Sequence, residues 1–460
     1  MAFTQQFLLD TAGGTHFIAV TGSFGQDSAP HDGNSMSVDS NGSIYFPAYY
    51  REDTSYPWLP NSGWIGQYSD SGVLRWQRAI GGSDATVSSG GHELMNDCCL
   101  SPDEQYLFVV GYHDVNTGLI YKYDTSGNIQ WKKQFSDSNT NQINGCVTDS
   151  SGNLYVAGRH QNTGASVYKG FIAKFNSSGA VQWQKIFGSS SRVNFRHLAI
   201  DSSNNIYVTG SIDSGPADNL VVKYNTSGSI IWQKRITRGS SNYWEASMSC
   251  SVDTSGNVYI TGFSNHDSSI DDQPYLLKMN SSGVFQWARY FGNYNSNLGG
   301  NTAESCACDQ NDNVYVTGRD KTNNSGNYWD AYIVKLNSSG TVQWKRSFGI
   351  QNIQTNGYSI KTDSRNNVIL GGDFWSLNDT GGYGSRDYFL ARFPTDGTKT
   401  GTYSLNSGSW VYQSTTMTVG TSSGWSISNA GRSTSNSSLS VSNSSLSETS
   451  YTHSSSSTVI

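Results

Sequence analysis

The sequence predicts an all-β chain: a seven-bladed β-propeller closed by its own N-terminal strand, with a C-terminal Ser/Thr-rich β extension. Three observations carry this expectation. A unit of about 50 residues recurs along most of the chain. The composition is that of a turn-rich β protein, and the strand count closes only if the first strand joins the last blade.

The repeat is clearest at residues 149–188. An Asp-Ser-Ser-Gly-Asn turn leads into Leu154-Tyr155-Val156-Ala157-Gly158, a variable insertion follows, and Phe171-Ile172-Ala173-Lys174-Phe175 runs into an Asn176-Ser177-Ser178-Gly179 turn and Val181-Gln182-Trp183-Gln184-Lys185-Ile186-Phe187. β-rich runs bounded by Asn/Asp/Ser/Gly clusters read as strands joined by tight hairpins. The first turn recurs from Asp39, Asp103, Asp149, Asp201, Asp253, Asp309 and Asp363; the second recurs from Asp124, Asn176, Asn225, Asn280 and Asn337. Trp follows at 76, 131, 183, 232, 287 and 344, with spacings of 55, 52, 49, 55 and 57 residues.

Composition agrees. Charged residues are 14%, against roughly 25% in ordinary globular proteins. Gly (49 residues) and aromatics (13%) are abundant, so the polar surface is built from Ser, Thr, Asn and Gly. The net charge of −6, with no Lys/Arg run, offers no electrostatic footprint for a nucleic-acid backbone. No stretch has the 18 or so consecutive apolar residues of a membrane-crossing helix, and Met1–Gln6 lacks the basic and apolar regions of a signal peptide.

The Trp-bearing fourth strand occurs six times after Asp39, one fewer than the other three kinds. Phe17 to Gly25 resembles Val342 to Gly349, with Val20 aligned to the Trp position, so this ribbon is expected to complete the last blade beside residues 386–393. Closure of this kind leaves no open sheet edge. The propeller is thus assigned to residues 1–397, with 398–460 as a separate extension.

Six cysteines suggest a disulfide or metal framework, but alignment places Cys99, Cys146, Cys250 and Cys306 at one repeat position where other copies have Met36, Leu198 and Ile360. That is a buried apolar slot, and no metal site is expected. The repeated Asp opens its turn by bonding its own backbone. Lys122, Lys174, Lys223, Lys278, Lys335 and Arg392 recur at one position of the third strand, which argues for a structural Asp/Lys partnership. No cofactor motif survives inspection: His92-Glu93 lacks a second His, and Gly381-Gly382-Tyr383-Gly384 precedes no helix.

Length variation is confined to the loops between strands two and three and between blades, which share one face of a propeller. Loops on a rigid scaffold are the usual carriers of function. Tyr50, Arg51, Trp58, Tyr243, Trp244, Asp320, Tyr328, Trp329 and Trp375 fall there. Planar aromatics beside Asp and Arg suit a glycan-binding surface, since rings cover apolar sugar faces and forked polar groups take hydroxyls. Nothing in the spacing of Asp267, Asp271, Asp320 and Asp373 singles out a catalytic pair.

The Asp-Ser-Ser-Gly-Asn-Leu-Tyr-Val-Ala-Gly and Phe-Ile-Ala-Lys-Phe-Asn-Ser-Ser-Gly-Ala-Val-Gln-Trp segments resemble the SBBP family of β-propeller repeats, over residues 17 to about 397. The ending Phe393-Pro394-Thr395-Asp396-Gly397-Thr398-Lys399-Thr400-Gly401-Thr402-Tyr403, with its Ser/Thr tail, resembles that of virion propeller proteins of tailed phages of aquatic bacteria. That resemblance implies a non-enzymatic virion component, extracellular after lysis. Its loop face would contact host surface glycan or neighbouring virion proteins, without nucleic acid or membrane. A glycan-degrading enzyme on the same face and a purely structural spacer are the alternatives. In the tail, Trp410, Val411, Tyr412, Met417, Trp425 and Ile427 are more apolar than a linker needs. Uncharged, alternating segments of this kind are expected to attach or oligomerise, finding strand partners in another subunit.

Overall fold

A computed structural model describes residues 4–8, 16–21, 35–51, 61–80, 93–113, 117–135, 140–161, 167–188, 192–213, 217–238, 245–264, 273–292, 301–321, 328–375, 386–405, 408–421, 425–429, 434–436, 441–443 and 448–450. They form seven antiparallel sheets, the blades of a propeller, each built on four strands in order that are consecutive in the chain in all but the last blade. Blade 3 comprises Thr140–Thr148, Leu154–Gln161, Lys169–Phe175 and Val181–Phe187.

Each blade starts from its turns. In blade 3, Asp149 Oδ1 accepts the amides of Ser151 and Asn153 at 3.0 and 2.9 Å, and Gly152 takes φ +77°, a conformation that only a residue without Cβ adopts cheaply. Strands two and three are packed on both sides and are apolar along their middle; Ala217–Tyr224 is buried at every position, with Leu220, Val221 and Val222 at its centre. The core is not one nucleus. Seven apolar clusters lie between blades, as where Phe108, Ile120 and Phe135 of blade 2 meet Ile143, Val156 and Phe171 of blade 3.

A repeated staple joins each seam on the tight-turn face. Trp183 Nε1 donates to the Thr226 carbonyl in the next blade's turn at 3.1 Å, and Lys174 Nζ donates to the same oxygen at 3.4 Å while lying 3.5 Å from Asp149. Gly228 at the tip of that turn rests on the Trp183 ring; a Cβ there would come within 3.0 Å of it. The Asp/Lys partnership expected from recurrence is present in blades 3 to 6, with Arg392–Asp363 in blade 7.

The ring closes as expected: Phe17–Thr21 pairs antiparallel with Tyr388–Arg392 as the fourth strand of blade 7. The internal alignment needs correction. Phe17, not Val20, stands opposite the cation position (Phe17↔Arg392, as Trp183↔Lys174), and its ring covers Gly72 of blade 1 as Trp183 covers Gly228. An apolar ring suffices there, which is why Trp was a misleading marker.

Two further alignments shift. In blade 2, Ser101 rather than Asp103 opens the first turn, its Oγ accepting the Tyr106 amide at 3.0 Å. Cys98 rather than Cys99 then occupies the buried slot, pairing with Val109 as Cys146 pairs with Val156. The turn is one residue longer and Asp103 lies inside it, so counting back from the Asp misplaces the register. All six cysteines are free. The residue before the slot ties the innermost strands into a belt: Asp97 accepts the Cys146 amide at 2.8 Å, His197 that of Cys250 at 3.3 Å, Ser305 that of Ile360 at 3.4 Å and Ser359 that of Met36 at 3.1 Å.

The tail follows a different course from the one the sequence suggested. Gly408–Ser414 adds to the outer edge of blade 6, backed by Gly401–Leu405. Val419–Thr421, Trp425–Asn429, Thr434–Asn436, Val441–Asn443 and Glu448–Ser450 then add in turn to blades 5, 4, 3, 2 and 1. Thr4–Leu8 does the same for blade 7. The expected partners in another subunit are, for the described strands, the chain's own blades. The reason is geometric: every fourth strand presents a row of unpaired amides and carbonyls, and the tail runs past each in succession. Trp410 is fully buried, 4.9 Å from Phe348 and 5.0 Å from Phe374, and Tyr412 stacks on Phe393 at 4.0 Å. Trp410 and Tyr412 thus complete the seam of blades 6 and 7, and Met417 packs into that of blades 5 and 6.

Candidate functional site at the seam of blades 6 and 7

The variable loops emerge on the face opposite the staples. There the second strand of blade 6, Val314–Asp320, ends in Arg319 and Asp320, and its third strand, Asp330–Leu336, is entered through Tyr328 and Trp329. In blade 7 the second strand, Asn367–Trp375, ends in Trp375.

Two main-chain bonds bring these ends together. Thr355 donates its amide to the Trp329 carbonyl at 2.8 Å, and Trp375 donates its amide to the Gln354 carbonyl at 3.0 Å. Gln354 and Thr355, where blade 7's innermost strand Thr355–Thr362 begins, therefore hold one aromatic from each side of the seam. Tyr328 and Trp375 are 44% and 40% exposed. The Arg319 guanidinium and the Lys321 ammonium lie 4.9 and 4.4 Å from the Trp329 ring centre, which orients the indole by cation–π attraction.

Four carboxylates lie at the same end of blades 6 and 7. Asp320 and Asp330 are direct cross-strand partners, an arrangement of like charges that destabilises a sheet. Asp320 is buried. Asp373, fully buried, accepts the Asn356 side-chain amide at 2.6 Å. Asp387 stands opposite Phe374, and burial raises its pKa to about 7. Its Oδ1 has no partner among the described residues. A buried carboxyl that holds its proton near neutrality is equipped for general acid work.

Of the residues singled out from sequence, the structure brings Tyr328, Trp329 and Trp375 to the seam of blades 6 and 7, while Asp320, at the same end of blade 6, has its carboxylate beside Gly292 of blade 5. Tyr50 and Arg51 end a strand at the same face of blade 1, paired with Ser62 and Asn61, their side chains outside the description. Trp58, Tyr243 and Trp244 lie outside the described residues. Sequence reasoning missed Asp387, Lys321 and the anchoring pair Gln354 and Thr355. A signal for Arg319, Asp320 and Lys321 was present: second strands agree up to a Gly, as at Gly158, Gly210, Gly262 and Gly318, and differ after it.

A model of the SBBP β-propeller repeat matches residues 182–216. Among curated proteins, an uncharacterized WD repeat-containing protein (L264) of Acanthamoeba polyphaga mimivirus is 25% identical over 114 residues, 20% of this chain; the match spans 8% of that protein's length. Among solved structures, a PL25 ulvan lyase superposes with a TM-score of 0.51 at 11% identity, covering 82% of this chain and 96% of the lyase. The polysaccharide lyase Uly1 gives 0.49 at 10% identity over 84% and 94%. A leech intramolecular trans-sialidase gives 0.43 at 8% over 80% and 68%. At these identities the likeness is one of fold.

The expectation that the chain is not an enzyme is corrected by the ulvan lyase. A solved chain of this architecture is a polysaccharide lyase, so a ring of repeated blades gives no ground for excluding catalysis. The chain is a seven-bladed β-propeller that carries an SBBP repeat.

Proposed function

We propose that this propeller acts on a glycan held across the loop-face seam of blades 6 and 7. The observation that carries the reading is the anchoring of Trp329 and Trp375 to Thr355 and Gln354, which brings rings of two blades, Trp375 exposed and Trp329 under Arg319 and Lys321, to one seam. Rings cover the apolar face of a sugar, Arg319 and Lys321 suit its anionic substituents, and buried carboxyls supply proton transfer at a glycosidic linkage. Asp387 is the assigned acid, with Asp320 and Asp330 as the opposed carboxylate pair. The propeller neighbours whose names specify polysaccharide lyases and a trans-sialidase agree with this class of substrate.

The test is incubation of the full chain with neutral, uronate-bearing and sulfated polysaccharides, with products read by mass spectrometry. Oligosaccharide release is expected, lost in Asp387→Asn with binding retained, while Trp375→Ala raises KM with kcat little changed. Binding without any product on the whole panel sinks the catalytic part; neither binding nor product sinks the proposal. Display of this face on a phage virion is a separate proposal, resting on the resemblance of residues 393–403 alone.

A further inference from the structure

On the turn face, four seams share one arrangement for an ammonium. In blades 3 to 6 the Nζ atoms of Lys174, Lys223, Lys278 and Lys335 lie 3.5, 3.1, 3.4 and 4.0 Å from Oδ2 of Asp149, Asp201, Asp253 and Asp309. They lie 5.0, 4.6, 4.8 and 5.2 Å from the ring centres of Tyr155, Tyr207, Tyr259 and Tyr315. They donate to the carbonyls of Thr226, Ser281, Ser338 and Thr395 in the following blade at 3.4, 3.3, 3.0 and 3.1 Å. A carboxylate, an aromatic face and a carbonyl thus form three walls around a primary ammonium.

Blade 1 keeps the walls and lacks the cation. Asp39, Tyr45 and the Thr125 carbonyl hold the three positions, and Trp76 Nε1 fixes that carbonyl at 3.0 Å as in the other seams. The residue opposite Trp76, where the others have Lys, is Gln67. Its neutral amide donates to the Tyr45 hydroxyl at 2.8 Å. Asp39 is also short of donors. Asp149 Oδ2 accepts the Asn153 amide at 2.8 Å and the Tyr155 hydroxyl at 2.9 Å besides its lysine. Asp39 Oδ2 has the Tyr45 hydroxyl at 3.5 Å, because Ser43 stands where Asn153 stands in blade 3. Yet Asp39 is only 8% exposed. Lys122 of blade 2 does not supply the charge, since it reaches onward to Ser177 of blade 3. A cavity of about 690 Å³ opens beside Asp39, lined also by Trp76, Arg75, Asp103 and Glu104. Three carboxylates line it against one guanidinium, and Arg75 forms no ion pair among the described residues.

We propose that this cavity binds a primary alkylammonium group from outside the chain, carried by an amino sugar or by a protein lysine. A buried carboxylate short of donors gains most from a charge-assisted partner, and the sibling blades show how an ammonium seats there. The site lies on the face opposite the proposed glycan surface and stands or falls independently of it.

The experiment titrates n-butylammonium chloride into the full chain, followed by calorimetry and by Trp fluorescence. Saturable binding is expected. Binding should weaken by about tenfold or more in Asp39→Asn and in Gln67→Lys, whose own amine fills the cavity and raises Tm by about 2 °C. Tetramethylammonium, with no N–H for the Thr125 carbonyl, should bind about tenfold more weakly. Displacement of butylammonium by glucosamine assigns the amine to a sugar, and displacement by Nα-acetyl-lysine amide assigns it to a protein. No saturation on the unaltered chain, equal binding by folded Gln67→Lys, or displacement by neither competitor overturns the proposal.

Discussion

The two faces of the ring use the same kinds of residue to opposite ends. On the turn face, burial pushes the carboxyls of Asp149, Asp201 and Asp363 upward, but hydrogen bonds from Asn153, Asn205 and Asn367 and a cation at each site outweigh it and leave them below the usual range. On the loop face, burial of Asp387 meets no such compensation, and its pKa rises to about 7. Tryptophans differ likewise. Those of the turn face each bond a neighbour's carbonyl, whereas Trp375 is 40% exposed. What recurs in every blade is consumed by the fold. What occurs once, or fails to recur as at Gln67, is where the chain is equipped to meet something else.

The largest expected effect breaks the ring on which both faces depend. Removing residues 1–26 takes away the fourth strand of blade 7 and the ring that covers Gly72. The product should aggregate or lose its cooperative melt in calorimetry; a monomer with unaltered Tm would refute the closure. Next, Lys223→Ala leaves Asp201 buried without its cation, both side chains being 7% exposed in the intact pair. A loss of about 3 kcal/mol is expected in denaturant titrations, whereas Trp375→Ala should stay within about 0.5 kcal/mol. Similar losses at the two sites would erase the distinction between the faces.

Gly228→Ala tests the turn alone. With φ +77° and Trp183 within 3.0 Å of a new Cβ, it should cost about 1–2 kcal/mol; Gly152→Ala, at the same φ but with nothing within 4 Å of a new Cβ, should cost less. The smallest effect is a slope. A carboxyl with a depressed folded pKa stabilises above its unfolded value and loses that contribution as pH falls, so the turn-face Asp residues weaken the protein in acid. A raised carboxyl does the reverse: Asp387, about 7 in the fold, should make stability decline as pH rises from the unfolded value near 3.8 towards 7, and level off above. Asp387→Asn should flatten that decline by at most about 1.4 kcal/mol per pH unit, and a remaining slope falls to buried Asp97, also raised to about 7. A slope unchanged by the substitution would remove Asp387 from the proposed chemistry.

Much of the scaffold was legible because its residues act locally. The Asx turns, the β-rich runs and the recurring Asp and Lys announce themselves through period and spacing. The errors arose where spacing and register part. Blade 2's longer turn moved the slot from Cys99 to Cys98, and Phe17 replaced Trp at a position defined by what it covers. The candidate site was half legible. Asp320, Trp329 and Trp375 stood out as polar and aromatic residues in variable loops, but the meeting of the two rings depends on Thr355 and Gln354, main-chain donors and acceptors without a side-chain signature.

By itself, the sequence determined the blade count, the closure and the Asp/Lys partnership on the turn face, since each follows from a motif repeated at a nearly constant period. Tertiary structure alone decided where the tail goes, which loops share a seam, and that Asp39 faces a cavity without a cation from its own blade. The physical reason is that edge pairing, burial and the missing partner of a charge are properties of surroundings assembled from distant parts of the chain.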